Sequence, residues 1–69
     1  MQTELLIIKC KNSYIRVKDD TYTVCGLDKA SVYPVTDMET VSRHCRQLKD
    51  KGFDDIRIRK LIITEEALT

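Results

Sequence analysis

Residues 36–53 read T-D-M-E-T-V-S-R-H-C-R-Q-L-K-D-K-G-F, and this stretch carries the strongest structural pattern in the chain. Apolar side chains recur at intervals of three, four and three residues, which places them on one face of an α-helix. They are Met38, Val41, Cys45 and Leu48. Most residues between them are charged or polar, so the pattern predicts one amphipathic helix that packs through a single apolar stripe.

Both ends of this helix carry sequence signals. Thr36 followed by Glu39 fits a capping box, in which the hydroxyl accepts from an early amide and the carboxylate reaches back. Gly52 suits the left-handed position just after a helix, and Phe53 is placed for the apolar contact that accompanies it. We therefore predict a helix over residues 37–51.

The residues before the helix have the alternation that is typical of β-strands. Residues 4–11, 14–18 and 21–25 are rich in apolar, β-branched and aromatic side chains. Residues 14–18 alternate between apolar and polar throughout, and the first strand alternates from Ile8 to Lys11 after its apolar run. Asn-Ser at 12–13 and Asp-Asp at 19–20 are turn signals between them. Two antiparallel hairpins in succession, a β-meander, are predicted.

Two further strands flank the helix. Residues 31–35 form a short strand that Pro34 places at a sheet edge or ends, because proline lacks an N–H. The last strand runs from residue 54 or 55 to 64, and the polar tail 65–69 is compatible with one helical turn. If both strands join one sheet, they run parallel or flank a gap across a right-handed crossover.

The predicted fold class is therefore α+β. It is a mostly antiparallel sheet of four or five strands, with a single helix packed on one face. The chain of 69 residues forms one domain, 1–69. A domain of this size buries only about 60% of its unfolded surface, so its stability margin is thin. A single helix covers one sheet face and leaves the other to solvent or to another molecule.

Cysteine usage excludes a disulfide framework. The chain has three cysteines, Cys10, Cys25 and Cys45, which is an odd number with no close pair. His44 and Cys45 are adjacent, so on a helix they point about 100° apart and cannot easily hold one metal ion. We predict no metal site and no cofactor, and we expect the cysteines to act as small buried apolar residues.

Charge and hydropathy indicate a cytoplasmic protein without a membrane partner. The formal net charge is +1, which excludes a strong overall field for nucleic acid or membrane. The longest apolar runs, 5–8 and 61–63, fall far short of a membrane span of about 20 residues. Residues 1–4 are not basic and do not resemble a signal peptide.

Strand alternation assigns each side chain to a sheet face. The side toward the helix receives Leu6, Ile8, Cys10, Ile15, Val17, Ile56 and Ile58. The opposite face then has an apolar end, the candidate interface of Leu5, Ile7, Leu61 and Ile63. It also has a candidate anion or nucleic-acid surface, made of Lys9, Lys11, Tyr14, Arg16, Lys18, Arg57 and Arg59.

The pairing of the first and last strands decides how these two groups lie. If the strands are antiparallel neighbours with residue 5 opposite 63 and 11 opposite 57, apolar residues meet apolar ones and cations meet cations. Parallel pairing would mix the two groups, and the sequence leaves both open. Lys60 falls on the helix side between apolar neighbours, so a β-bulge there is a further alternative that would turn Leu61 and Ile63 inward.

These surfaces predict a non-catalytic module that binds a protein partner, most simply a second copy of itself. An uncovered apolar patch often marks an interface, and twofold dimers are the commonest oligomers. The competing interpretation is that the tail or the 26–36 segment packs over the patch within one chain. If the patch is a dimer interface, Ile7→Lys is expected to disrupt the dimer. If the face is solvated, the substitution is expected to have little effect.

Single-stranded nucleic-acid binding is the alternative function. Lysine and arginine would contact phosphates, and Tyr14 would stack on a base. The competing interpretation is a solvated face whose cations discourage edge pairing. Catalysis is not predicted, because a domain with one helix has little room for a pocket around the candidate groups. Those groups are His44, Cys45, Cys25, Asp54 and Asp55.

Overall fold

The computed structural model of the protein describes residues 2–64. The chain forms β1 (Gln2–Cys10), β2 (Ser13–Lys18), β3 (Thr21–Cys25), β4 (Val32–Pro34), α1 (Met38–Asp50) and β5 (Ile56–Thr64). Short 3-10 turns at Leu27–Lys29 and Val35–Asp37 precede β4 and α1. The tail 65–69, for which a helical turn was predicted, lies outside the described residues.

The five strands form one antiparallel sheet built around β1, which confirms the α+β fold with a single helix. One edge of β1 pairs with β5 along its whole length, from Gln2–Thr64 to Cys10–Ile56. The other edge is shared: β2 takes the end at Lys9 and Cys10, and β4 takes Leu5 to Ile7. Both β4 and β5 are antiparallel to β1, so they run parallel to each other on opposite sides of it.

Both predicted hairpins form. Asp19 and Asp20 occupy a two-residue turn with φ of 50° and 62°, the geometry of a hairpin turn in which both central residues are left-handed. The first turn lies one residue earlier than expected, at Lys11 and Asn12, because Cys10 pairs with Ser13.

The start of α1 differs from the prediction, since no capping box forms at Thr36. Residues 35–37 continue in a 3-10 turn, and Asp37 is the N-cap with φ −103° and ψ 29° and no side-chain cap hydrogen bond. A side-chain cap requires an extended N-cap backbone, which this turn does not provide. Met38 was also misassigned: its side chain is 45% exposed, and the stripe consists of Val41, Cys45 and Leu48.

The predicted end of α1 is confirmed in detail. Gly52 has φ +94°, and its N–H donates to the Lys49 carbonyl at 3.1 Å, while the Phe53 N–H donates to the Leu48 carbonyl at 3.0 Å. These two bonds are the Schellman motif, which satisfies carbonyls that the last helical turn leaves without partners. Phe53 packs against the core, as the motif predicts.

The core lies between α1 and one face of the sheet, and the strand parity predicted for it is correct. Its buried members are Leu6, Ile8, Cys10, Ile15, Val41, Cys45, Leu48 and Ile56. Val17, Tyr22, Tyr33, Phe53 and Ile58 pack around them. The helix therefore lies over the middle of the sheet and over the Cys10–Ile56 end of the β1–β5 pair.

Of the two pairings left open, β1 and β5 take the antiparallel one, with a register that differs by two residues from the one considered. Leu5 lies opposite Leu61 and Lys9 lies opposite Arg57. The register runs without a break through Lys60, so the suggested β-bulge is absent. Lys60 instead points to the helix side beyond the core, and its ammonium lies 3.7 Å from the Glu4 carboxylate.

Candidate functional site

The end of the β1–β5 pair that holds Leu61, Ile62 and Ile63 extends past the core. Ile62 and Ile63 are 52% and 48% exposed, and strand alternation puts them on opposite faces. The molecule is elongated, with principal extents of 48, 23 and 22 Å. This end of the ribbon is therefore apolar on both sides, and we call Leu61–Ile63 the apolar tip.

The outer edge of β5 is the second feature of this region. Within residues 2–64, β5 pairs with β1 and with no other strand, so nine residues present backbone donors and acceptors along that edge. Its first half carries Arg57, Arg59 and Lys60, which protect an edge against pairing. Its second half is the apolar tip, which lacks such protection.

The four residues of the predicted candidate interface differ from one another in their exposure. Ile63 is half-exposed, and Leu5 and Leu61 are partly buried opposite each other. Ile7 is only 2% exposed and lies on the central strand, between Arg59 of β5 and Val32 of β4. Ile7→Lys would therefore place a charge in a buried site rather than probe a dimer.

Ile62 is an exposed apolar residue that the predicted candidate interface does not include. Parity assigns it to the helix side, and the sequence reading took that whole face to be covered. The helix has only 13 residues. It packs over the Ile56–Ile58 end of β5 and leaves Ile62 exposed. The sequence signal that could have found it is the apolar run 61–63, which continues past Ile58, the last residue predicted to face the helix.

Cationic side chains gather at the other end of the ribbon, on the face away from the helix. Lys9 lies between Arg57 of β5 and Tyr14 of β2 in one row across three strands. A cleft of about 230 Å3 opens beside this row, and we call it the basic cleft. Its lining consists of Lys9, Lys11, Asn12, Asp55, Arg57 and Arg59.

Two side-chain contacts involve the cations of the basic cleft. Asp55 accepts a hydrogen bond from the Arg57 guanidinium at 2.9 Å, and both side chains are well exposed. The Lys9 ammonium lies 5.9 Å from the centroid of the Tyr14 ring, within the range of a cation–π contact. The cleft therefore holds four cations against one carboxylate.

Arg16 and Lys18, also predicted for this surface, lie in a separate groove. That groove has a volume of about 550 Å3 and is shared with Lys29 and Asp28. Ser31 explains the separation: its N–H donates to the Ile15 carbonyl at 3.1 Å, and its hydroxyl accepts from the Val17 N–H at 2.8 Å. The segment before β4 therefore bonds to β2 beyond the two residue pairs that β2 makes with β1.

A cluster of tyrosine and histidine lies on the helix side and was not predicted. The Tyr22 hydroxyl is 2.8 Å from His44 Nδ1 and 2.5 Å from Gln47 Oε1. Since the amide oxygen only accepts, the single phenol proton goes to Gln47, and His44 Nδ1–H then donates to the phenol oxygen. The centroid of the Tyr33 ring lies 5.9 Å from that of the His44 ring.

Burial shifts the titration of the groups around this cluster. Desolvation is the main cause that raises the pKa of both Tyr22 and Tyr33 above the usual 10.0. Burial also raises the pKa of the Cys45 thiol above 9.0, against the smaller opposing effect of Lys49. A raised thiol pKa and a buried position both oppose the nucleophilic chemistry that was considered for Cys45.

The remaining catalytic candidates do not join this cluster. The Asp54 carbonyl accepts from the buried Cys10 thiol at 3.3 Å, and Asp55 belongs to the basic cleft. Cys25 lies on the opposite face from the helix, where its strand position pairs with Tyr14. The structure therefore separates His44, Cys25 and the two aspartates into different surroundings.

Across residues 2–64, no three His, Cys, Asp or Glu side chains converge as metal ligands. None of the helices in this part of the chain is long and apolar enough to cross a membrane. Comparison of the chain with known proteins finds no matching family model, no matching curated protein and no matching solved structure. The function therefore rests on the geometry of these surfaces.

Proposed function

We propose that this chain is a small, non-catalytic interaction module that self-associates through the outer edge of β5. The observation that carries the proposal is the apolar tip, where Ile62 and Ile63 are exposed on opposite faces of an edge strand. An edge strand offers backbone hydrogen bonds to a second strand, and the flanking apolar side chains are buried when it docks.

The favourable free energy of self-association comes from burial of a few apolar side chains. Full burial of an isoleucine side chain contributes about 1.5–3 kcal/mol. Ile62 and Ile63 are each about half-exposed, so completing their burial contributes roughly 1 kcal/mol apiece on each copy. Both faces contribute at once, which favours a partner that continues the sheet over one that covers a single face.

Charge and the length of the paired stretch together select the register of a twofold, antiparallel β5–β5 pair. The axis of such a pair stands perpendicular to the sheet beside one residue, which then faces its own copy. An axis at Lys60 would oppose two ammonium groups, and an axis at Arg59 would oppose two guanidinium groups. Like charges directly opposite are destabilising. An axis at Ile62 also avoids them but pairs only residues 60–64 of the described strand, so the axis beside Leu61 gives the longer paired stretch.

This register pairs residues 58–64 of both copies. Leu61 faces Leu61, Lys60 faces Ile62 and Arg59 faces Ile63 across the axis. No cation then faces a cation, and the aliphatic stems of Lys60 and Arg59 lie against isoleucine. The two helices lie on the same side of a continuous ten-stranded sheet.

A reducing compartment suits this module, and we place it in the cytoplasm. Cys10, Cys25 and Cys45 are free thiols, and free thiols persist where glutathione and thioredoxin keep them reduced. Catalysis has no support from the surfaces described above, since the candidate nucleophiles and bases lie apart from one another.

The proposal is tested by the molar mass in solution of the native chain and of Ile62→Lys and Ile63→Lys, measured by light scattering at several concentrations. Val24→Lys is the matched control, because Val24 is 49% exposed and lies on β3, at the far edge of the sheet. We expect the native chain and Val24→Lys to approach twice 8.0 kDa and both tip variants to remain monomers. A native chain that stays monomeric at every concentration contradicts the proposal, as does equal loss in all three variants.

A further inference from the structure

We propose that the basic cleft binds the phosphodiester backbone of single-stranded nucleic acid, with Tyr14 as the stacking surface beside it. This activity is separate from self-association. The observations that carry it are the row Arg57–Lys9–Tyr14 across three strands and the convergence of Lys11 and Arg59 on the same cleft.

The cationic groups in this cleft have few acidic partners of their own. Between residues 2 and 64, ion pairs form at Arg57, with Asp55, and at Lys60, which lies on the other face. Lys9 and Arg57 are directly opposite each other on neighbouring strands, an arrangement that is destabilising for like charges. A bound phosphate placed between them converts that repulsion into two charge-assisted hydrogen bonds.

The chemistry of the lining is selective for an anion. Lysine, arginine and the asparagine amide of Asn12 all present N–H donors, and Asp55 is the one carboxylate, already bonded to Arg57. The rim is fixed by the backbone, since the Lys11 N–H donates to the Asp55 carbonyl at 3.4 Å. Lys11 and Asp55 both line the cleft and have left-handed φ values of 56° and 54°.

Tyr14 distinguishes a single strand from a duplex. Its ring is half-buried on the same face, next to Lys9, and strand spacing of about 4.8 Å puts it roughly 10 Å from the β5 cations. A base stacks on an aromatic ring only when it is free of its own neighbours, as in a single strand. One single-stranded segment can therefore place its phosphates on Lys9 and Arg57 and stack a base on Tyr14.

The basic cleft and the apolar tip are far enough apart to be tested separately. Lys9 and Thr3, which pairs with Ile63, are six residues apart on β1, which corresponds to about 20 Å. Substitutions at Ile62 and Ile63 are thus expected to change the molar mass and to leave nucleic-acid binding within about twofold per chain. Failure of one proposal is in this way distinguishable from failure of the other.

The test is fluorescence anisotropy of the full chain with a labelled oligothymidine and a labelled oligouridine, over a series of salt concentrations. Lys9→Glu/Lys11→Glu is the site variant, because both residues line the cleft and neither lies on β5. Arg43→Glu/Arg46→Glu is the control, because both arginines are exposed on α1 and the net charge changes equally. We expect at least a tenfold loss in the site variant, a loss within about twofold in the control, and a salt slope near −2 for about three phosphate contacts.

Tyr14 provides an independent variant. Tyr14→Phe keeps the ring and is expected to bind like the native chain, whereas Tyr14→Leu loses about tenfold in affinity. Circular dichroism confirms that each variant is folded. Equal losses in the site and control variants overturn the proposal, as does native-like binding by Tyr14→Leu. Pelleting with phosphatidylserine vesicles, in the absence of oligonucleotide binding, assigns the cleft to a membrane surface instead and also overturns it.

Discussion

The Tyr22 hydroxyl of β3 lies 2.8 Å from Nδ1 of His44 on α1, and this contact ties the second hairpin to the helix. The two rings meet edge to face, with centroids 5.6 Å apart. β3 is an edge strand that otherwise pairs only with β2 among the described residues. Tyr22 therefore anchors the outermost strand to the helix that covers the core.

Tyr22→Phe is expected to lower the free energy of unfolding by about 1 kcal/mol. The substitution keeps the ring packing but removes the hydroxyl that bonds His44 and Gln47. Urea denaturation measures the change. Tyr14→Phe removes the same group from the opposite sheet face and is expected to have a smaller effect. Equal effects would show that the contact with His44 contributes no stability of its own.

Stability is expected to decrease as the pH rises above 10.0. Burial raises the pKa of Tyr22 and Tyr33 above the usual 10.0, so the folded state holds these protons more tightly than the unfolded state. Their contribution is then fully present below pH 10.0 and is lost as the pH rises through the raised pKa values. Urea midpoints below and above pH 10.0 should fall less in Tyr22→Phe/Tyr33→Phe than in the native chain. A parallel decline in both would contradict this assignment.

Gly52→Ala is expected to destabilise the protein by about 1–2 kcal/mol, because Gly52 has φ +94° and a Cβ is strained there. Gly26→Ala is the control. Gly26 has an ordinary φ of −78°, and its added Cβ would meet only the Asp28 side chain at 2.9 Å, which can rotate away. Thermal or urea unfolding of both variants measures the difference. An effect of Gly26→Ala as large as that of Gly52→Ala would contradict the assignment of the loss to backbone strain at residue 52.

Ile7→Ala is expected to cost about 2–5 kcal/mol, the range for a large buried side chain. Val24→Ala, at a position that is 49% exposed, should stay within about 0.5 kcal/mol of the native chain. Urea denaturation compares them, and Ile7→Val provides a milder variant if Ile7→Ala does not fold. A small effect at Ile7 would mean that the sheet face away from the helix is open at its centre.

Strand alternation and the helix signals allowed much of the fold to be predicted. Period-two alternation assigned Leu6, Ile8 and Ile15 to the helix side correctly, because adjacent residues on a strand point to opposite faces. Gly52 and Phe53 located the end of α1 because their roles depend only on local backbone geometry. These are features that a few neighbouring residues determine.

The features that were missed depend on contacts between distant segments. Alternation cannot distinguish registers that differ by two residues, so pairing Leu5 with residue 63 rather than Leu61 satisfied the same pattern. β2 and β4 share one edge of β1, and the basic residues line two separate clefts; neither feature follows from alternation. The Tyr22–His44 contact joins residues 22 positions apart, and the sequence between them carries no periodic signal for it.

Disulfide cross-linking of Leu61→Cys tests the central claim, that a second copy docks on β5 with Leu61 beside the twofold axis. In a Cys25→Ser background, the two copies of residue 61 would lie about 5 Å apart at Cα, within disulfide range. Arg57→Cys is the control, because its copies would be about 27 Å apart in this register. Rapid dimer formation on mild oxidation by Leu61→Cys, with little by Arg57→Cys, is the predicted result. Equal cross-linking of the two variants, or none in either, would contradict the claim.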